Sequence, residues 1–238
     1  MTEIYLDSAN IKEINKYQSW GIITGITTNQ KIFLKEKGCN FEERARQILD
    51  ISPYPVSLEG PNDYDELIVE AERYHNWKND IGQSFKNIVI KVPMLKNGDG
   101  LRAVKTLRDK GIKTNVTACM TINQAFLAAC AGADYVSLFY NRMKDWSYKL
   151  NKNEQVARNY ALYVIQETMK TFKDFDIKTK LIVGSIRSPE DIEDILLVKP
   201  DIITIPPAIL EKMPINKKTE ETLKEFEKAW KEFKKAEK

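Results

Sequence analysis

The sequence predicts a (β/α)8 barrel carrying one additional amphipathic helix at its C-terminus. Short apolar, β-branched runs recur about eight times along the 238 residues, and each is followed by a helix-patterned segment. The intervening helices carry their own start and stop signals. No low-complexity linker divides the chain, so residues 1–238 read as one barrel domain with 219–237 as a C-terminal helix. Strands and helices that alternate strictly, with right-handed crossovers, form a parallel sheet covered by helices, and eight such units close on themselves. An open doubly wound sheet is the other solution. The first strand is not followed by G-x-G-x-x-G, which argues against the dinucleotide-binding version of it.

The predicted strands are 4–6, 22–28, 55–59, 88–92, 113–119, 135–139, 181–186 and 202–205. Asn10 with Glu13 opens the first helix. Gly111 closes the helix whose inner face is Leu101, Val104 and Leu107. Thr121 with Gln124 has capping-box spacing ahead of Ala125-Phe126-Leu127-Ala128. Ser188-Pro189-Glu190-Asp191 sets a cap, a proline at the first helical position and acids in the first turn. In the last helix, 219–235, Leu223, Phe226, Trp230 and Phe233 form one apolar stripe, expected to pack on the barrel or on a neighbouring subunit.

Composition narrows the chemistry. A net charge of +3 demands neither nucleic acid nor membrane, and the lysines of the tail alternate with glutamates as on a solvated helix face. The N-terminus has no apolar signal segment, so a soluble cytoplasmic protein is expected. Three cysteines, Cys39, Cys119 and Cys130, lack metal-ligand spacing and read as reduced thiols, the latter two in the core. His75 is the only histidine and falls on a polar helix end, which excludes histidine triads and histidine-ligated zinc.

Lys91 stands out. It sits in the run Asn87-Ile88-Val89-Ile90-Lys91-Val92-Pro93, which reads as a buried strand. A charge there is costly unless it is paired or neutralised, and a neutral lysine attacks carbonyls. The plainer alternative is a lysine that snorkels out of the strand end. The other strand ends supply a matching set, because active sites of such barrels gather where strand C-termini converge. The set contains Asp7, Thr27, Asn29, Glu59, Asn115, Thr117, Ser137, Phe139, Arg142, Ser185 and Arg187. Individually these residues have ordinary readings: Asp7 as a helix cap, Thr27 and Asn29 as turn residues, Glu59 before Gly60-Pro61, and the arginines as surface charges. Asn115 and Thr117 share one strand face, which suits a wet pocket better than a dry core. Two arginines after adjacent strands suit a phosphate.

Seven segments together resemble the small-subunit transaldolase family, which includes the fructose-6-phosphate aldolases. They are Leu6-Asp7-Ser8-Ala9-Asn10, Gly25-Ile26-Thr27-Thr28-Asn29, Ile90-Lys91-Val92-Pro93, Asn115-Val116-Thr117, residues 124–133, Tyr135-Val136-Ser137 and Ser185-Ile186-Arg187. The resemblance implies class I aldolase chemistry without metal or cofactor, on sugar phosphates. It implies Lys91 as the Schiff-base lysine and Asp7 as the group handling the C4 hydroxyl proton. Glu59 and Thr117 correspond to residues that position a catalytic water. Asn29, Asn115 and Ser137 correspond to residues that bind the dihydroxyacetone part, and Arg142, Ser185 and Arg187 to a phosphate site. It also implies homo-oligomeric rings, pentamers or decamers, in which the last helix reaches a neighbour.

Glu59 and Phe139 are similar to the transaldolases, where the aldolases carry glutamine and tyrosine. A transaldolase is therefore expected. The alternatives are a free aldolase, a transaldolase for an unusual sugar and a non-catalytic phosphosugar-binding barrel. The sequence departs from the family pattern at Gln30 (usually Pro), at Ala118-Cys119-Met120-Thr121, and at Gly184 and Ile186. It also reads Ser137-Leu138-Phe139-Tyr140-Asn141-Arg142 in place of Ser-Pro-Phe-Val-Gly-Arg.

Overall fold

A computed structural model describes residues 1–36, 38 and 40–237. Eight parallel strands close a barrel in sequence order: β1 (Glu3–Asp7), β2 (Ile23–Thr27), β3 (Val56–Glu59), β4 (Ile88–Pro93), β5 (Thr114–Cys119), β6 (Tyr135–Phe139), β7 (Lys180–Gly184) and β8 (Ile202–Ile205), with β8 paired back onto β1. The helices are α1 (Ile11–Gln18), α2 (Gln30–Phe33), α3 (Phe41–Ile51), α4 (Tyr64–His75), α5 (Asp99–Asp109), α6 (Ile122–Ala131), α7 (Tyr140–Asn151), α8 (Glu154–Asp174), α9 (Pro189–Val198), α10 (Pro207–Leu210) and α11 (Lys217–Ala236). The expected closed barrel is the observed one, and every predicted strand lies on an observed one, with ends that differ by at most two residues. Among the described residues no helix is long and apolar enough to cross a membrane.

The strands are buried on both faces, and their alternation divides two environments. Leu6, Ile26, Leu58, Ile90, Val92, Val116, Val136, Leu138, Val183 and Ile205 join the large core beneath the helices. The other parity fills the bore. Tyr5, Ile182 and Ile202, with Tyr135 against them, form a separate apolar plug. Tyr5 takes so much of this space that β2 must carry glycine beside it: a Cβ on Gly25 would meet the Tyr5 ring at 2.3 Å. One pleat further along each strand the bore turns polar, and that change of character positions the site.

The helix signals work locally as their chemistry dictates. Asn10 Oδ1 accepts from the backbone N–H of Lys12 and Glu13, and Ser188 forms a full capping box with Asp191. At α6 Thr121 accepts from Gln124 N–H, but the Gln124 side chain accepts from Met120 N–H rather than from Thr121, so the box is shifted by one residue. Gly111 adopts φ +73° just after α5.

One expectation is corrected and another is narrowed. Cys130 is exposed rather than in the core, because it falls on the outer side of α6, while Cys119 is buried; Cys39 lies outside the described residues. The stripe on α11 does not pack on its own barrel. Leu223, Phe226, Trp230 and Phe233 are all 53–65% exposed, and nothing on α11 is buried. His75 is exposed at the end of α4, as expected.

Candidate active site

A cavity of about 280 Å³ opens at the C-terminal ends of the strands. It is lined by Asp7, Thr27, Asn29, Glu59, Lys91, Thr117, Ser137, Phe139, Arg142 and Ser185, so ten of the twelve residues singled out from the sequence share one wall. The reason is register. Glu59 pairs with Lys91 and Lys91 with Asn115 on successive strands, and Asp7 pairs with Thr27. Paired residues on parallel strands point the same way, so these side chains enter the bore at one level.

Lys91 is buried at 5% exposure, and its Nζ donates to the Thr28 carbonyl at 2.8 Å. Burial holds its pKa below the ordinary lysine value. Asp7 first and Glu59 second pull the other way, since each favours the ammonium. Both carboxyls are held above their usual range, again chiefly by burial. At Asp7 the charge of Lys91, a hydrogen bond from Thr27 and the charge of Lys35 oppose the rise. At Glu59 Lys91 opposes the rise and Asp7 adds to it. One amine and two carboxyls thus share a desolvated space in which each shifts the others' protonation. Perturbed groups of this kind mark functional sites.

The supporting polar atoms are specific. Thr27 Oγ1 donates to Asp7 Oδ1 at 2.7 Å and also contacts the Thr204 hydroxyl. Asn115 lies beneath the cavity floor, donating to Ser57 Oγ at 3.2 Å and accepting from Ser137 Oγ at 2.8 Å, so it fixes Ser137 rather than lining the wall itself. The Thr117 hydroxyl is buried with no hydrogen-bond partner among the described residues. Such a group costs free energy until a water or a ligand hydroxyl satisfies it. Asn29 caps α2 through its Oδ1, which accepts from Ile32 N–H at 3.0 Å.

Arg142 lies at the mouth, at the start of α7, and Ser185 reaches it from the loop after β7 with φ +64°. Arg187 stands apart from the cavity wall. Its guanidinium makes two hydrogen bonds to Asp145, at 2.8 and 2.5 Å. Residues not singled out as site candidates also line the cavity: Thr204, Gln30, Lys31, Ala118 and Gly184. Thr204 was findable, because it is the one polar residue of β8 and shares the bore-facing parity of Ile202. Gln30, at the position that departs from the family pattern, donates to the Gly60 carbonyl at 3.1 Å and ties the loop after β2 to the loop after β3. No group of three or more His, Cys, Asp or Glu side chains among the described residues is arranged to hold a metal ion.

Residues 4–238 match the family model for transaldolase/fructose-6-phosphate aldolase. A protein of Carboxydothermus hydrogenoformans named a probable transaldolase is 37% identical over 92% of this chain and 92% of its own length. A relative of the same name from Petrotoga mobilis is 37% identical, covering 92% of this chain and 90% of its own, and one from Methanococcus maripaludis is 34% identical over 92% of each. A crystal structure of a candidate fructose-1,6-biphosphate aldolase from Coccidioides immitis superposes with a TM-score of 0.55 at 11% identity, over 89% of this chain and 75% of that one. That last likeness concerns the fold alone.

Proposed function

The chain belongs to the transaldolase/fructose-6-phosphate aldolase family, and from that premise we propose that it is a transaldolase. It would move a dihydroxyacetone unit from sedoheptulose 7-phosphate or fructose 6-phosphate to glyceraldehyde 3-phosphate or erythrose 4-phosphate through a Schiff base on Lys91. The observation that carries this reading is the position of Lys91, a buried amine of lowered pKa in the bore with Asp7 and Glu59 beside it.

The neutral amine attacks the C2 ketone, and the nitrogen proton passes to the new C2 oxygen to give a carbinolamine. Glu59, through a water held by the otherwise unsatisfied Thr117 hydroxyl, protonates that oxygen, and it leaves as water to give the iminium. Asp7, oriented by Thr27, removes the C4 hydroxyl proton. The C4–O electrons form the aldehyde, the C3–C4 bond breaks, and its electron pair moves into the iminium as an enamine. Glyceraldehyde 3-phosphate leaves when the donor is fructose 6-phosphate. The enamine then attacks an acceptor aldehyde by the reverse sequence, and hydrolysis frees Lys91.

Phe139 favours transfer over release. It lines the cavity and brings no hydroxyl that would protonate the enamine. Asn29, Ser137 and the underlying Asn115 suit the dihydroxyacetone hydroxyls, and Arg142 with Ser185 suits the phosphate. Arg187 would join them by exchanging Asp145 for a phosphate oxygen. The exposed apolar stripe of α11 supports assembly of several copies, as a pentamer or decamer.

The assay follows conversion of fructose 6-phosphate with and without erythrose 4-phosphate. Sedoheptulose 7-phosphate formed only with the acceptor is the expected result. Free dihydroxyacetone at the same rate without acceptor would make the protein an aldolase instead.

A further inference from the structure

The loop that presents Ser185 is tied to the helix that presents Arg142 by a buried polar clamp outside the cavity. Asn141, the second residue of α7, is 4% exposed, and its Nδ2 donates both to the Ser185 carbonyl at 2.8 Å and to Asp191 Oδ2 at 2.6 Å. Asp191, the third residue of α9, is 5% exposed. The same oxygen accepts from the backbone N–H of Arg187 at 2.9 Å and of Ser188 at 3.1 Å, while Oδ1 faces Lys144 Nζ at 3.3 Å. Two side chains, Asn141 and Asp191, therefore hold the carbonyl of residue 185 and the N–H groups of 187 and 188, and Lys144 braces Asp191. These bracket the hydroxyl and guanidinium offered to a phosphate.

The clamp is matched to a strained element. Ser185 is a non-glycine residue at φ +64°, a conformation that L-residues adopt only when their surroundings impose it. The Ser185 carbonyl in this conformation accepts the hydrogen bond from Asn141 Nδ2. Asn141 stands immediately before Arg142, so one side chain couples the two halves of the anion site across β6 and β7. A glycine, which the resembled motif carries at this position, has no side chain with which to do so. Buried amide and carboxylate groups with several partners each give a rigid network, and a partly satisfied one is costly.

We propose that Asn141, Asp191 and Lys144 are positioning residues that preorganise the phosphate-binding ends of β6 and β7 in this chain. The proposal rests on the reading of Arg142, Ser185 and Arg187 as a phosphate site. It predicts a deficit confined to phosphate recognition, because none of the three residues lines the cavity around Lys91.

The test compares wild type with Asn141→Ala and Lys144→Met. It measures the inhibition constant and calorimetric Kd of inorganic phosphate, KM and kcat for fructose 6-phosphate, and borohydride trapping of phosphate-free dihydroxyacetone. Asn141→Ala is expected to raise the phosphate constants and KM about tenfold or more, the worth of one well-placed hydrogen bond to a charged group. Its kcat and trapping rate should stay within about twofold of wild type, as expected when binding alone is lost. Lys144→Met should move the same constants in the same direction by a smaller factor. If Asn141→Ala does not fold, Lys144→Met carries the test. Unchanged phosphate affinity in the folded variants, or a parallel loss of phosphate affinity and dihydroxyacetone trapping, would overturn the proposal. Absence of trapping in the wild type would instead remove the Schiff-base reading, while phosphate calorimetry would still decide the clamp.

Discussion

Replacing Glu59 by glutamine separates the two jobs assigned to that carboxyl, because they move the observables in opposite directions. Glu59 and Lys91 occupy paired positions on neighbouring strands. Adjacent strands lie about 4.8 Å apart, and a pair of unit charges separated by about 5–10 Å in a medium of effective dielectric 20 is worth on the order of 2–3 kcal/mol. That attraction favours the ammonium and works against the burial that lowers the Lys91 pKa. Its loss in Glu59→Gln leaves burial less opposed, so the pH limb of imine formation moves to lower pH. The variant also loses its proton donor for carbinolamine dehydration, and that step slows about 100-fold. Quenching single turnovers with borohydride, from about pH 6 to about pH 10, reads both effects. The predicted outcome is a slower enzyme whose amine is more available at neutral pH. A limb displaced to higher pH, or an unchanged rate, would refute the assignment of Glu59 as both counter-charge and acid.

Two further predictions concern the scaffold. Gly25→Ala drives a methyl group into the Tyr5 ring inside the bore, and thermal or urea unfolding should show a loss of about 1–3 kcal/mol. Asp194 accepts from Tyr140 Oη at 3.0 Å and pairs with Arg158, and the guanidinium first, then Tyr140, holds its pKa below the usual carboxylate range against the effect of burial. A carboxyl depressed in the folded state contributes stability above its unfolded pKa and loses it as pH falls through the folded value. Asp194→Asn should therefore lower Tm near neutral pH by an amount worth about 1 kcal/mol after solvent screening. The difference should vanish in acid; a deficit of equal size at both pH values would contradict it.

Most of the barrel was legible because its signals are local. The run 88–92 is apolar on both parities, as a strand buried on both faces requires, and the lone charge in it lines the candidate cavity. The strand-end residues were legible as a group for the same reason, since a barrel brings all eight ends to one mouth. What escaped is tertiary. The Thr28 carbonyl that receives Lys91 is a backbone atom and carries no side-chain signature. The pairing of Arg187 with Asp145 joins residues 42 positions apart, so two adjacent-strand arginines looked equivalent although only Arg142 lines the cavity. Cys130 was misread because α6 is apolar around much of its circumference. Leu127, three residues earlier, is likewise exposed at 48%. The stripe on α11 was visible as a pattern, but a pattern does not say which surface covers it.

The central claim is that one amine in the bore becomes covalently joined to a sugar. Incubation with fructose 6-phosphate, reduction with borohydride and peptide mass mapping test it in one step. The account predicts a reduced adduct on Lys91, absent from Lys91→Met. A label on any other lysine, or none under conditions that support turnover, would contradict it.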